Sequence, residues 1–305
     1  MTRPPNDKVI ISSGLATLQT LIKQIPPHRR APIRPIKQTN ETEYYYRARL
    51  RDIVRLMAQS VDEVLIPVLR RNYTADSYLI DIIKQAIRQA SEKFYTSTFG
   101  RQIDRLAQRV VSLAESESSA AFVEQINRAI GIDMTSLMVN ESLVDYFDAS
   151  VENNVALIKS LSSDYFDDIQ REVMDSIMRG DSLTTMVRNI QKVTGATYQR
   201  SHLISLDQTA KIRSDITHTR QVNAGIVRFR WSTSQDVRVS GNPAGKYPRA
   251  RIKCFEIARA DVGYGVGVYL WLRGAAYNGE TGLFPGRAHV GCRCHAIPQL
   301  KGIDY

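Results

Sequence analysis

The sequence has few cysteines and no long apolar run, and these two shortages narrow the classes of protein to which it can belong. Three cysteines occur among 305 residues, all in the last third: Cys254, Cys292 and Cys294. An odd, clustered count does not make the disulfide framework of a small secreted protein, so it leaves either buried thiols or a metal site. No stretch approaches the roughly 20 apolar residues that a membrane helix needs, and no signal-peptide core follows Arg3. We therefore expect a cytosolic product without a membrane partner.

Several sequence signatures of enzymes are also missing. There is no phosphate-binding glycine loop, no nucleophile elbow and no His-Glu-x-x-His motif. Four carboxylates, at positions 164, 167, 168 and 172, have a helical spacing that could bind a cation or serve acid–base chemistry. We expect them instead in the first turns of a helix, where acidic side chains favour the helix dipole. These observations favour a structural protein over an enzyme.

Positive charge is concentrated at the two ends of the chain, within a net charge of +10. Residues 1–51 carry ten lysines and arginines against three acidic residues, and residues 201–305 carry fifteen against seven. The middle, residues 52–200, carries sixteen against twenty-one. Either the basic ends contact a polyanion or an acidic surface, or they only keep exposed segments soluble.

The first 42 residues are predicted to form an extended basic arm. Six prolines between Pro4 and Pro35 bar regular structure over most of it, apart from one short helix between Ser12 and Ile25. We expect such an arm to become ordered only against a partner. Its candidate contacts to DNA phosphates are Arg29, Arg30, Arg34 and Lys37. Any such contact would be non-specific and sensitive to salt.

Apolar residues recur at intervals of three and four from residue 43 to 195, which predicts a helical bundle or array. Separate helices are expected over 101–113, 120–130, 141–161 and 164–179, with Gly131 and Gly180 as C-terminal caps. Asp181 is the expected cap of the next helix, which is predicted to end before Gly195.

The periodicity changes in the last third of the chain. Thr197 is predicted to cap a long helix that runs to Asn223, and alternating side chains from position 226 to Trp231 predict a strand. A second strand is indicated around Val268. The predicted fold is therefore mainly α, with a helical domain over 43–195 followed by a small α+β module over 196–305 that contains a long helix and short strands.

Four of these residues form a candidate zinc site: Cys254, His289, Cys292 and Cys294. On an extended segment the two sulfurs of a Cys-x-Cys pair lie on the same side. One imidazole and three thiols are enough ligands for a closed tetrahedral site, with His295 as the substitute if His289 points away. The other interpretation is three reduced thiols in a small core with exposed histidines.

An ordered series of short motifs occupies the same part of the chain. In order they are Asp207, Gln208 and Thr209; Arg220 and Gln221; Gly225; Trp231 and Thr233; Asp236 and Arg238; Pro285 and Gly286; and Cys292, Arg293 and Cys294 before Pro298. This series resembles the phage head morphogenesis family, the Mu protein F-like minor head proteins, over about residues 183–300. Many members have a histidine shortly after the Asp-x-Arg turn, where this chain has Ser240, and Cys254 is the nearest replacement as a ligand. From the residues alone, the Asp236–Arg238 pair is expected to make a structural bond.

The resemblance implies an assembly role, that of a minor head (capsid) protein in the virion of a tailed bacteriophage. It would be made in the host cytoplasm and lie in the capsid interior at or near the portal vertex. The implied partners are the portal protein, the major capsid or other head proteins, and packaged DNA. We expect the helical region, residues 43–200, to dock to the portal and the basic ends to meet DNA phosphates.

Two alternatives come from the residues themselves. The first is a zinc-dependent hydrolase or nuclease that uses the Cys/His cluster, although a catalytic zinc keeps an open position and needs a nearby base. The second is a nucleic-acid binder that presents Phe229 and Trp231 between Arg228 and Arg230 for stacking. Trp231 belongs more simply to the core.

Overall fold

The computed structural model describes residues 22–23, 25–27, 30–35, 39–72, 79–96, 100–131 and 143–300. Over these residues the fold is mainly α-helical, as the sequence predicts, with short antiparallel strands near the C-terminus. Two compact units can be distinguished. The helical unit comprises residues 40–112 and 146–208, and the mixed unit comprises residues 1–39, 113–145 and 209–305. No helix in the described part of the chain is long and apolar enough to cross a membrane.

Six helices precede the first strand in the described residues. They are α1 (Glu41–Ser60), α2 (Ile66–Asn72), α3 (Leu79–Phe94), α4 (Gly100–Ile130), α5 (Val144–Arg179) and α6 (Leu183–Asn223), and a π-helical turn, Val61–Leu65, joins α1 to α2. The apolar face predicted for α1 is buried at Leu50, Val54 and Met57. Tyr46 on the same helix donates a hydrogen bond to Asn154 Oδ1 on α5 at 2.9 Å.

The long helices α4, α5 and α6 each join segments that were predicted to be separate. Gly195 lies inside α6, as does Thr197, whose hydroxyl donates to the Val193 carbonyl at 2.9 Å instead of capping a new helix. A glycine in a helix interior costs only about 1 kcal/mol relative to alanine, and a helix of 41 residues tolerates it. The predicted break at residue 195 is therefore wrong, and this position lies within a continuous helix.

The four carboxylates also lie in the interior of α5 rather than in the first turns of a helix. Asp164 accepts a charged hydrogen bond from Arg200 at 2.5 Å, and Glu172 pairs with Arg179 at 2.8 Å. These contacts are ion pairs on the surface of the helix. The prediction that the helix N-terminus stabilises the four carboxylates is therefore wrong, because they lie far from it.

The helix ends follow the sequence more closely. Gly131, Gly180 and Gly225 all have positive φ, between 68° and 80°, as C-terminal caps require. The cap of α6 is Ser182, not the expected Asp181: the Ser182 hydroxyl accepts a hydrogen bond from the backbone of Thr185 at 3.2 Å. Asp181 instead pairs with Arg179 at 3.0 Å.

The mixed unit contains two small sheets. Their strands are β1 (Arg228–Ser232), β2 (Val268–Leu270), β3 (Ala275–Tyr277), β4 (Glu280–Leu283) and β5 (His295–Gln299). Strand β1 lies between β2 and β5 in an antiparallel sheet, and β3 and β4 form a hairpin. The strands predicted near Phe229 and Val268 are confirmed, and Phe229 and Trp231 are fully buried, so their rings are not presented for stacking on bases.

The described residues of the N-terminal segment pack against the rest of the mixed unit. Ile22 and Ile33 are buried in a cluster with Phe122 and Ile297, and Ala31 N–H donates to the Ala129 carbonyl at 2.8 Å. For these described residues, the expectation that the arm becomes ordered only against a partner is wrong. Burial of the two isoleucines against other residues of the same chain already holds the segment in place.

Candidate metal centre

Three side chains from two distant parts of the sequence meet in the mixed unit. Cys254 begins a short helix, α7 (Cys254–Ile257), while His289 and Cys292 lie in the loop before β5. Cys254 Sγ is 3.3 Å from His289 Nε2 and 3.8 Å from Cys292 Sγ. All three ligand atoms lie within 4.8 Å of one another, so this Cys-His-Cys cluster could hold a metal ion.

The distances between the ligand atoms fit a tetrahedral ion. With Zn–S bonds of about 2.3 Å, two sulfurs on one zinc lie about 3.8 Å apart, and a sulfur and a nitrogen lie about 3.5 Å apart. The two separations in the structure, 3.8 and 3.3 Å, are close to these values. Both thiols are about 1% exposed. The donor set, its spacing and the burial of the thiols therefore suit a bound metal ion with the ligand preferences of zinc.

The imidazole of His289 is oriented by its second nitrogen. Nδ1 lies 3.0 Å from the Val290 carbonyl, which can only accept, so Nδ1 carries a proton. Nε2 then faces the thiols, the arrangement in which a metal-bound histidine is held by a second hydrogen bond.

The electrostatics of the cluster favour an imidazolium–thiolate arrangement when no ion is bound. Hydrogen bonds to the Cys254 and Cys292 thiols raise the pKa of His289 to about 11. Hydrogen bonds from Cys254 and Cys294, together with the nearby His289, lower the pKa of Cys292 despite its burial. A thiolate is the form that binds a metal.

Cys294 and His295 take different positions. The Cys294 thiol interacts with Cys254 and Cys292, and these hydrogen bonds and its burial raise its pKa. His295 begins β5, and its side chain lines a depression with Phe122 and Ser118. Of the two histidines, the structure brings only His289 to the cluster, and Cys294 is the nearest candidate for a fourth ligand.

Ser240 belongs to the same centre and was not identified as a candidate from the sequence. Its hydroxyl lies 3.0 Å from His289 Nε2 and accepts a hydrogen bond from the Cys254 backbone at 3.1 Å. It occupies the region where many members of the resembled family have a histidine. No local pattern marks a single serine, and the resemblance was the one signal that pointed to this position.

The Asp-x-Arg turn is linked to the cysteine segment. Asp236 accepts hydrogen bonds from the backbone and side chain of Arg238 at 2.7 and 3.0 Å, as predicted, and also from Arg293 at 2.7 Å. Burial acts to raise the pKa of Asp236, but these hydrogen bonds and the charges of both arginines together lower it. Arg293 lies between the two cysteines of Cys-Arg-Cys, so this contact anchors their backbone.

The remaining motif residues also make internal contacts. Arg220 is buried and pairs with Glu115 on α4 at 2.5 Å. Gln221 accepts a hydrogen bond from Trp271 Nε1 at 3.0 Å and donates to the Ala296 carbonyl at 3.2 Å, which joins the end of α6 to the sheet. In the part of α6 that belongs to the helical unit, Asp207 and Gln208 are buried, and the Gln208 amide donates to the Asp207 carboxylate at 3.2 Å. Thr209, where the mixed unit resumes, is also buried.

The Pro-Gly motif rests against α6. The Ser214 hydroxyl donates to the Pro285 carbonyl at 2.5 Å. Gly286 has a φ of 82°, and a Cβ there would lie 3.0 Å from Ser214 Cβ and 3.1 Å from the Ala210 carbonyl. The glycine is required both by its backbone conformation and by the close approach of the helix.

The predicted DNA contacts of the arm lie only in part within the described residues. Arg30 donates hydrogen bonds to the carbonyls of Ile22 and Ile25 at 2.8 to 3.0 Å, a structural use of its guanidinium group. Arg34 is exposed, and its carbonyl accepts from Gln125 at 3.0 Å. Arg29 and Lys37 lie outside the described residues.

Comparison with known proteins adds one relative. An uncharacterized protein of Haemophilus influenzae is 27% identical over 220 residues, a match that covers 72% of this chain and 49% of the relative. The chain thus spans about half the length of the curated relative that it matches. No family model matches the chain, and no solved structure matches it.

Proposed function

We propose that this protein is a minor head protein of a tailed bacteriophage, whose mixed unit is held together by one structural zinc ion. The observation that carries the proposal is the internal use of the motif series. Each of these motifs connects one element of the mixed unit to another: Arg220, Gln221, Asp236, Gly286 and the cysteine segment. A motif that maintains a scaffold suits a protein that acts by assembly.

The zinc ion would be held by Cys254, His289 and Cys292, with Cys294 as the fourth ligand. It would supply a link between the start of α7 and the segment before β5. Burial of the thiols supports a closed structural site over the alternative of a zinc-dependent hydrolase or nuclease, since a catalytic ion keeps a position open to water and substrate.

The partners we propose are the portal protein, other head proteins and packaged DNA. The helical unit offers a surface for the portal, on which large apolar side chains such as Leu56, Ile82 and Met178 remain exposed. The DNA contact would be made through phosphates and would weaken steeply with salt, with Arg29, Arg30, Arg34 and Lys37 as its proposed contacts in the arm.

Crosslinking within intact particles tests the assembly role. Particles from an induced culture would be purified on a density gradient, treated with a lysine-reactive crosslinker and analysed by mass spectrometry. We expect this chain in the particles, with crosslinks from residues 43–200 to the portal protein. Charge-reversing changes at exposed residues of the helical unit should reduce those crosslinks, whereas the same changes at Arg259 and Arg273 of the mixed unit should not. Normal heads in which the portal never crosslinks to this chain would contradict the portal contact.

A further inference from the structure

A loop beside the cysteine cluster carries a dense positive charge. Residues 241–253, here called the basic loop, read Gly-Asn-Pro-Ala-Gly-Lys-Tyr-Pro-Arg-Ala-Arg-Ile-Lys. Four of these thirteen residues are basic and none is acidic. A run of one sign at this density is unfavourable unless counter-charges or a ligand neutralise it.

The two ends of the basic loop are held together. The hydroxyl of Ser240 accepts a hydrogen bond from Cys254 N–H at 3.1 Å, and its carbonyl accepts from Phe255 N–H at 3.0 Å. Gly241 has a φ of 76°, and a Cβ there would lie 2.3 Å from Lys253 Cβ, so the two strands of the loop approach as closely as only glycine allows. A compact surface loop with joined ends is a common place for a binding site.

Hydrogen bonds also order the inside of the loop. Gly241 N–H donates to the Tyr247 carbonyl at 2.9 Å, and Lys246 N–H donates to the Val237 carbonyl at 2.6 Å. The segment from Lys246 to Arg249 is therefore fixed in its backbone although all its side chains are exposed. Less conformational entropy is lost when a ligand binds to such a preordered loop.

The charges of the loop fall into two groups. Lys253 pairs with Glu256 at 2.9 Å, and Arg251 pairs with Glu280 at 2.7 Å, so these two are neutralised within the mixed unit. Lys246 and Arg249 form no ion pair with any residue in the described ranges. Between them lies Tyr247, which is 57% exposed.

We propose that the basic loop is a contact site for the phosphate backbone of DNA, with Lys246 and Arg249 as the phosphate ligands. Two cations on a fixed backbone are what a phosphate contact requires, and Tyr247 can pack against a sugar or a base beside them. A protein partner with an acidic surface would also need apolar side chains that become buried around the charges on binding. The exposed segment offers one such side chain, the Tyr247 ring, which favours DNA over a protein partner. This proposal rests on the proposed contact with packaged DNA and adds a second site to it, in the mixed unit.

Fluorescence anisotropy on the full chain tests the site. The probes are two labelled 30-base-pair duplexes of unrelated sequence, titrated at several salt concentrations. The loop variant is Lys246→Ala with Arg249→Ala, and the matched control is Arg70→Ala with Arg71→Ala, which removes the same charge from exposed positions at the end of α2. Loss of two phosphate contacts should weaken binding at least about tenfold near 0.1 M salt and lower the slope of log affinity against log salt by about 2.

Three further measurements separate the possible outcomes. The exchange Lys246→Arg with Arg249→Lys keeps both charges and should retain most of the affinity. A variant with alanine at Arg29, Arg30, Arg34 and Lys37 measures the share of the arm. Unchanged tryptophan fluorescence in the loop variant shows that the mixed unit still folds.

Equal binding by the loop variant and the matched control would overturn the basic loop as a site while leaving the DNA contact itself in place. If the wild-type protein bound neither duplex at about 50 mM salt, both the basic loop as a site and the DNA contact itself would be overturned. The assembly role would still be tested separately by the crosslinks in particles. Polyglutamate serves as a mimic of an acidic protein. If the wild-type protein bound it as tightly as DNA, and if the loop variant lost both kinds of binding together, the site would be assigned to an acidic protein instead of DNA.

Discussion

Replacing Cys292 with serine should destabilise the mixed unit by about 4 kcal/mol when zinc is present. Cys254 and Cys292 are 38 residues apart in sequence, and an ion that links them closes a loop of that length. The chain entropy removed from the unfolded state by such a link contributes about 4 kcal/mol. For a unit of this size, the melting temperature should fall by roughly 10 °C.

Tryptophan fluorescence reports on this unit alone. Trp231 and Trp271 are the two tryptophans in the sequence, and both are buried in the mixed unit. Melting followed by their emission should shift in the Cys292→Ser variant. Far-ultraviolet circular dichroism, dominated by the long helices, should retain most of its signal at the temperature where the variant loses its tryptophan signal.

The matched control is wild-type protein stripped of metal by a chelator under reducing conditions. Because coordination is coupled to folding, chelation should lower the wild-type melting temperature to that of Cys292→Ser and should leave the variant unchanged. Elemental analysis should find one zinc per chain. Less than about a tenth of an equivalent in protein made with zinc available, or a melting temperature indifferent to chelation, would mean that the thiols are simply buried.

Two further predictions concern the stability of the same unit. Gly286→Ala should lower the free energy of unfolding more than Gly279→Ala. Both glycines have φ near 80°, where alanine costs about 1–2 kcal/mol in strain, but only at Gly286 would the new Cβ also press against Ser214. Equal losses of stability in urea denaturation would contradict the close approach. Burial and the charge of Arg287 lower the pKa of His218 below 6.5, so the folded protein favours the neutral ring. The stability that this provides is complete above pH 6.5 and is lost as the pH falls from there through the lower pKa of the folded state. His218→Phe should flatten this dependence between pH 7 and 5 in denaturation curves, and an unchanged slope would refute it.

The type of secondary structure was predictable, but the helix boundaries were not. Apolar spacing of three and four marked the helical region, and the positive-φ glycines marked where helices end. The polar stretches near residues 115 and 163 were interpreted as breaks, yet α4 and α5 continue through them. A helix can expose polar residues along one part of its length and stay helical, because tertiary packing elsewhere stabilises it.

The candidate site was predictable in its chemistry and only partly in its membership. The Cys-x-Cys spacing and the distant Cys254 pointed to one cluster, and the structure brings Cys254, His289 and Cys292 together. The contacts that Ser240 and Arg293 make in the site were not predicted, because serine and arginine have no spacing rule that links them to thiols. The β3–β4 hairpin was also missed, although its Asn-Gly turn is a strong local signal.

The sequence by itself determined the features that depend on neighbouring residues: helical or extended backbone, the glycine stops, the distribution of charge and the presence of thiols. Only the tertiary structure decided which distant residues meet. Arg220 and Glu115, 105 positions apart, form an ion pair in which the arginine is buried, and the prolines of the arm did not prevent Ile33 from packing on α4 and β5. The physical reason is range: backbone preferences act over a few residues, whereas burial rewards any apolar or paired surface that the fold brings together, at whatever separation along the chain.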